Sequence, residues 1–216
     1  MRFSILRRSA ALLCGAVILF TGCAGGASSS VPDSQSMEDM PYGATLTHDV
    51  NASPSIQYDH RFLPEGAADA LCRYYRAIQS VDVNLFKGVQ FPLWKDYFLN
   101  EYLGGKYTDE DILKNTNQQI RDSFGGPFRY ALIDVTDCRV NRTSVETESV
   151  VAVLDDLAQE KGQELVSKDI DCYCQVKVTR YLSDTKSTVK GETQDAIRDE
   201  TLYVMHHGSA WYVIYQ

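Results

Sequence analysis

The sequence predicts an α+β domain because its hydrophobic period changes along the chain. Between Pro64 and Phe124, apolar residues recur every three or four positions, which is typical of helices buried on one face. From Phe128 onward they alternate, which is typical of strands with one face in the core. One helical segment, Val150 to Lys161, interrupts the strands. Helices first and strands afterwards is the order of an α+β fold.

Local signals mark where four helices begin in the first half of the domain. Proline is favoured in a first helical turn, aspartate caps a helix start, and Thr-x-x-Asp is close to a capping box. Glycines at 104–105 and 125–126 end the third and fourth of these helices. The four start signals are Pro64, Asp82, Pro92 and the Thr108–Asp111 pair.

Four strands and one polar connection are expected after residue 127. The first strand reaches about Val140, and a second begins at Ile170 with Cys172 and Cys174 on one face. The polar segment 183–199 is interpreted as a long loop or a frayed hairpin connection. The last two strands are predicted at 201–207 and 211–215.

The start of the chain resembles an export signal. Arg2, Arg7 and Arg8 precede an uncharged apolar run, Ala10 to Phe20. Eleven helical residues at about 1.5 Å each span only half of a hydrocarbon core of roughly 30 Å. The run is therefore too short for a spanning helix and has the length of a signal-peptide core.

The segment Leu19-Phe20-Thr21-Gly22-Cys23 resembles the lipobox of bacterial lipoproteins. That resemblance implies cleavage before Cys23 and lipid, including palmitate, on its side chain. The predicted organisation is a signal peptide at 1–22, a tether at 23–60 and one domain at 61–216. Ordinary cleavage near Ala24, giving a secreted product, is the alternative.

Residues 23–60 have the composition of a disordered tether. They are rich in Gly, Ser, Pro and Asp, contain no Lys or Arg, and carry a charge of −5. A flexible coil of this length reaches roughly 35 Å. Without residues 1–22 the chain has 18 basic and 29 acidic residues, a net charge of −11. This charge argues against nucleic acid as a partner and leaves the lipid on Cys23 as the membrane attachment.

Three stretches give the domain a family resemblance: Asp169-Ile-Asp171, Glu200-Thr-Leu-Tyr-Val, and Gly208 followed by Trp211-Tyr-Val-Ile. They resemble exported lipoproteins of Gram-positive anaerobes, which are similar to the nuclear-transport-factor-like superfamily. The resemblance implies a cystatin-like cone, in which a curved antiparallel sheet wraps a long N-terminal helix around a pocket. It also implies the outer face of the cell membrane as the location.

Four residues are candidates for lining such a pocket: Tyr130, Asp134, His206 and Trp211. The chain has no catalytic, cofactor or metal-binding motif. We therefore predict a binding or assembly module for a small ligand, a cell-wall polymer or a protein. The alternative is a small-pocket lyase, isomerase or hydrolase, with Asp134 or His206 as base.

Four cysteines remain in the predicted domain: Cys72, Cys138, Cys172 and Cys174. An even number outside the cell is typical of disulfides, and buried thiols are the equally weighted alternative. Cys172 and Cys174 are about 6.5 Å apart along one strand face, which disfavours a bridge between them.

Overall fold

The computed structural model describes residues 40–141, 149–185 and 195–215. Those residues form a mixed α+β structure, which confirms the predicted class. The strands are β1 (Leu46–Asp49), β2 (Ser55–Asp59), β3 (Phe128–Asn141), β4 (Ile170–Asp184), β5 (Asp195–His207) and β6 (Ala210–Ile214). The α-helices are α1 (Glu65–Ser80), α2 (Val83–Val89), α3 (Pro92–Tyr97), α4 (Asp109–Phe124) and α5 (Ser149–Glu160). A π-helical turn, Phe98–Tyr102, follows α3 directly, and a 3₁₀ turn, Val166–Asp169, precedes β4.

The described strands form one open sheet in the order β1-β2-β3-β4-β5-β6. All neighbouring pairs are antiparallel except β2 and β3, which are parallel, so the sheet is mixed. The parallel pair follows from the chain path, because α1 to α4 lie between these two strands and return the chain to the same edge. None of the helices in the described ranges is long and apolar enough to cross a membrane.

The first two strands lie inside the predicted tether, so the ordered structure begins before the predicted boundary at residue 61. Ile56 and Tyr58 of β2 are buried at 1% and 7% exposure, and β2 pairs with β3. Two inward-facing side chains and a ladder to a neighbouring strand are enough to order a segment whose composition is mostly polar. Residues 23–39, together with the signal peptide and Cys23, lie outside the described residues.

The four predicted helix starts are confirmed, and two of them have capping contacts. Asp82 accepts a hydrogen bond from the backbone N–H of Leu85 at 2.9 Å. Thr108 and Asp111 form a reciprocal capping box at the start of α4. Gly125 ends that helix with φ +85°, a left-handed conformation that glycine adopts without a Cβ clash.

The later strands are longer than the alternation predicts. β4 continues to Asp184 and β5 begins at Asp195, so both extend into the segment interpreted as a loop. These polar extensions pair with one another, as Leu182 and Asp195 do. The connection itself, residues 186–194, lies outside the described residues.

The sheet has a hydrophobic core on each face. On one face α1, with α2 and α4 beside it, covers inward residues of β2 to β6. On the other face α3 and α5 cover β4, β5 and β6, and Tyr173 stacks on Tyr203 at 5.5 Å between ring centroids. Because both faces are covered near β4 to β6, these strands form the centre of the domain.

Gly66, in the first turn of α1, lies against the indole of Trp211. A Cβ on Gly66 would stand 2.3 Å from the indole nitrogen. We expect Gly66→Ala to lower the free energy of unfolding by about 2 kcal/mol, the usual cost of overpacking. Urea unfolding measures this change.

Gly88 in α2 is the matched control, because a Cβ there would meet no atom within 4 Å. Gly88→Ala should stabilise the protein by up to about 1 kcal/mol through helix propensity. Equal effects of the two substitutions would contradict the Trp211 contact.

Candidate functional site

Tyr130 and Asp134 lie on opposite faces of β3, although they are four positions apart in the sequence. β3 has an extra residue, Ala131, relative to β4, and this bulge reverses the alternation. Tyr130 and Ile133 therefore both face the α1 core, whereas Asp134 faces away from it and accepts a hydrogen bond from Gln57 Nε2 at 3.3 Å. The two residues do not share a pocket.

His206 and Trp211 lie together at the other end of the sheet. Their rings are 4.8 Å apart as cross-strand neighbours on β5 and β6. His206 is opposite Cys172 and Tyr130 is opposite Leu182, so ten residues of β4, about 33 Å, separate the two places. The four candidates therefore divide into three locations rather than one site.

The side chains of Cys72, Cys138, Cys172 and Cys174 are all buried. The Sγ atoms of Cys172 and Cys174 are 3.8 Å apart, closer than their spacing along the strand suggests, because the side chains lean together. Burial raises the pKa of Cys72 to about 12, and its Sγ donates to the carbonyl of Pro54. Within the described ranges, no group of three or more His, Cys, Asp or Glu residues could hold a metal ion.

A cavity of about 590 Å³ lies between the β1–β2 connection, the second half of α1 and the start of β3. This volume is within the usual range for small-molecule sites. Small residues at 52–55 form one wall. The longer side chains around it are those of His48, Arg76, Gln79, Arg129 and Tyr130. Of the four candidate residues, Tyr130 lines this cavity, whereas Asp134, His206 and Trp211 are not among its described lining residues.

Basic groups dominate this cavity, although the whole chain has a net charge of −8. None of the described residues that line it is acidic. Arg129 Nε donates to Ser183 Oγ at 2.7 Å, which fixes its guanidinium at the start of β3. Arg76 is exposed on α1, and no ion pair joins it to a carboxylate of the described residues. Its charge is therefore available to a ligand.

His48 contributes less positive charge than the arginines. It lies near Asp134, whose pKa is raised by burial and lowered by Gln57 and His48. The carboxylate of Asp134 and the imidazole therefore offset one another. Arg76 and Arg129 are the groups that make the cavity basic.

The floor of the cavity is tied to α1. The backbone N–H of Tyr130 donates to Gln79 Oε1 at 2.7 Å, which joins β3 to the last turns of the helix. The Tyr130 ring meets Tyr75 edge to face at 5.2 Å. Burial raises the pKa of the Tyr130 phenol, so this group remains protonated at neutral pH. These contacts hold Tyr130 in the wall of the cavity.

A buried ion pair lies behind this wall, and the sequence analysis missed it. Arg180 Nε is 3.3 Å from Glu200 Oε2, and Tyr75 donates to the same oxygen at 2.7 Å. One signal was present: Arg180 and Glu200 are opposite charges in two strands otherwise rich in apolar residues. The pairing of those strands could not be derived from the residues alone.

The fold and the cavities define an α+β domain with sites of small-molecule size. Comparisons of the chain with known protein families, curated proteins and solved structures give no significant match. The functional argument therefore depends on the geometry of this chain.

Proposed function

We propose that this protein is a lipid-anchored, extracytoplasmic binding module that takes a small anionic ligand in the cavity of Arg76 and Arg129. One observation carries the proposal: an acidic protein places two arginines around a ligand-sized cavity, and none of the described residues that line it is acidic. A guanidinium matches carboxylate and phosphate oxygens in a fork geometry, which favours these anions as ligands.

The proposed anchor is the lipid on Cys23. It is supported by the lipobox-like segment, since a basic start, an apolar run and a cysteine follow one another in the expected order. Labelling cells with a palmitate analogue tests it. A Cys23→Ala variant that stays fully bound to membranes would contradict the anchor.

The proposal includes a cystatin-like cone for the domain. What supports it is α1, which packs against β2, β3, β5 and β6 on one face of the sheet. Register shifts in the β3–β4 and β4–β5 pairs introduce the bends by which a sheet curves around a helix.

Binding is favoured over catalysis by the positions of the proposed bases. Asp134 is held by Gln57 and does not line the basic cavity. His206 Nδ1 lies 2.6 Å from Asp171 Oδ1 and is close to the opposite end of β4. A general base must reach the proton that it removes, and neither group reaches a ligand in this cavity.

Replacing Arg76 with glutamine should weaken anion binding about tenfold, because it removes one charged hydrogen-bond donor from the cavity. The measurement is isothermal titration of the full chain with inorganic phosphate and with citrate. Binding by the unmodified protein should weaken as sodium chloride is added, since solvent-accessible charges are screened by salt.

Arg121→Gln is the matched control, since Arg121 is exposed on α4 and does not line the cavity. It should leave the affinity unchanged. The proposal fails if neither anion binds at millimolar concentration, or if the Arg76 and Arg121 variants lose equal affinity.

A further inference from the structure

A second cavity, of about 340 Å³, lies between α1, α2, α4, the π-helical turn and β5. Its described lining shares no residue with the lining of the basic cavity. Apolar and aromatic side chains form most of its wall, and Glu200 is the acid among them. The lining of this cavity includes Tyr74, Phe86, Phe98, Glu200 and Tyr215.

The aromatic wall of this cavity is built around Tyr215. The ring centroid of Tyr215 is 5.0 Å from Phe98, 6.0 Å from Phe86 and 6.2 Å from Tyr74. Tyr102 stacks on Phe98 at 5.3 Å and is 70% exposed, so the aromatic surface continues to solvent. Electron-rich ring faces attract cations, most strongly where water is excluded.

The position of Phe98 depends on an uncommon backbone conformation. Phe98 begins the π-helical turn that directly follows α3. Such turns are rare and are frequently found at functional sites. Here the turn presents Phe98 to the cavity and leaves Tyr102 at the surface beside it.

Glu200 gives the cavity an acceptor with one oxygen to spare. Its Oε2 is occupied by Tyr75 and Arg180. No hydrogen bond from another described residue reaches its Oε1. The carboxylate is held in place by its pairing and still has an oxygen for a ligand.

Unsatisfied polar atoms lie beside Tyr215 and are buried. Gln90 is 1% exposed and Asp109 is 6% exposed, and both amide atoms of Gln90 and Oδ1 of Asp109 have no hydrogen-bond partner among the described residues. The Tyr215 hydroxyl lies beside Gln90. Neither Gln90 nor Asp109 is among the described residues that line the cavity, so this polar cluster lies behind Tyr215.

Two acids lie near this part of the structure, and each has a cation beside it. Burial and the charge of Asp109 both raise the pKa of Tyr215, while Gln90 lowers it. The opposing cations are Arg180 at Glu200 and Lys87, which lies 3.8 Å from Asp109 Oδ2 and is half exposed. Each carboxylate has one cation beside it and one oxygen without a bond.

We propose that this second cavity binds a small organic cation, with its ammonium group against the aromatic wall of Phe98 and Tyr215 and near the free oxygen of Glu200. The cavity is large enough for an amine with a short apolar or polar tail. The ligand class is opposite in charge to that of the basic cavity, and the described linings share no residue, so the two sites can be tested separately.

The test is titration of the full chain with choline and with 3,3-dimethylbutanol, its neutral isostere. Both have the same shape, so their difference isolates the charge. We expect choline to bind at least tenfold more tightly. The inference is overturned if the isostere binds as well as choline, or if choline does not bind at millimolar concentration.

Two variants test the contributions of the Glu200 carboxylate and of the aromatic rings separately. Glu200→Gln should abolish the preference for choline, and Phe98→Leu should weaken choline about fivefold while leaving the ion pair intact. If Glu200→Gln does not fold, the choline affinity of Phe98→Leu still tests the site. Glu160→Gln is the control, because Glu160 is exposed on α5. Unchanged choline binding in Phe98→Leu, or an equal loss in Glu160→Gln, would contradict the site.

Each variant is also titrated with the ligand of the other cavity. Arg76→Gln should leave choline binding unchanged, and Phe98→Leu should leave citrate binding unchanged. Failure of one site therefore does not imply failure of the other.

Discussion

Asp59→Asn should lower the free energy of unfolding by about 3 kcal/mol, because the substitution removes the carboxylate charge from a buried ion pair with Arg61. The Asp59 side chain is fully buried at the end of β2. Arg61 approaches both of its oxygens, with Nε at 2.9 Å from Oδ1. Denaturant unfolding of the wild type and the variant at pH 7 measures the difference.

Asp59 also holds the segment that precedes β1. Its carboxylate accepts hydrogen bonds from the backbone N–H of Gly43 at 3.0 Å and from Thr45 Oγ1 at 3.2 Å. Arg61 donates to the carbonyl of Pro41 at 2.9 Å, so the two side chains anchor residues 41–45 together. We expect protection of these amides from hydrogen exchange to fall in the variant.

The same pair predicts a pH dependence with a definite sign. Hydrogen bonds from Arg61 hold the pKa of Asp59 well below its usual range, against the opposing effect of burial. A group with a lowered folded-state pKa contributes stability above its unfolded pKa, near 4, and loses it as the pH falls further. The wild type should therefore lose stability below about pH 4 more steeply than Asp59→Asn.

Asp69→Asn is the control for this prediction. Asp69 pairs with Arg73 at 2.8 Å within α1, but its side chain is 65% exposed. Exposed pairs contribute at most about 1 kcal/mol. Similar losses in the two variants, or identical acid profiles for wild type and Asp59→Asn, would show that burial of Asp59 does not matter.

The helical half of the fold was predictable because its signals are local. A capping box such as Thr108 and Asp111 needs only residues three positions apart, and both contacts form as expected. The glycines that end helices, such as Gly125, do so through their own backbone conformation. Such features depend on neighbours in the sequence and little on the rest of the chain.

The strands at 46–59 were not predicted, because these residues become ordered only through contacts with residues that are distant in the sequence. Ile56 and Tyr58 alternate with Gln57, which is a strand signal, but two apolar residues do not form a core. They become buried because β3, more than seventy residues later, supplies the adjacent strand. Composition averaged over 38 residues concealed this short pattern.

The candidate site could be predicted only in part, because side-chain direction along β3 depends on a bulge. Alternation places Tyr130 and Asp134 on one face, and the extra residue Ala131 separates them. The arginines of the basic cavity come from α1 and β3. Their meeting depends on packing between these elements, which the sequence pattern does not specify.

Arg180→Met should lower the free energy of unfolding by about 2 kcal/mol, because it leaves the partly buried Glu200 carboxylate without its cation. The Arg180 side chain is 13% exposed and that of Glu200 is 24% exposed, so water replaces the lost contact poorly. Tyr75 would remain bonded to Glu200 but would lose the guanidinium, which lies 6.0 Å from its ring centroid. Thermal and urea unfolding both report the loss.

The double variant Arg180→Met with Glu200→Gln distinguishes a broken pair from a packing defect. If the charges are coupled, it should be more stable than the sum of the two single losses predicts, by about 1 to 3 kcal/mol. Arg73→Met, which removes a half-exposed helix pair, should cost about 0.5 kcal/mol. Strictly additive losses would mean that Arg180 and Glu200 act separately, and that Glu200 is positioned for a ligand by Tyr75 alone.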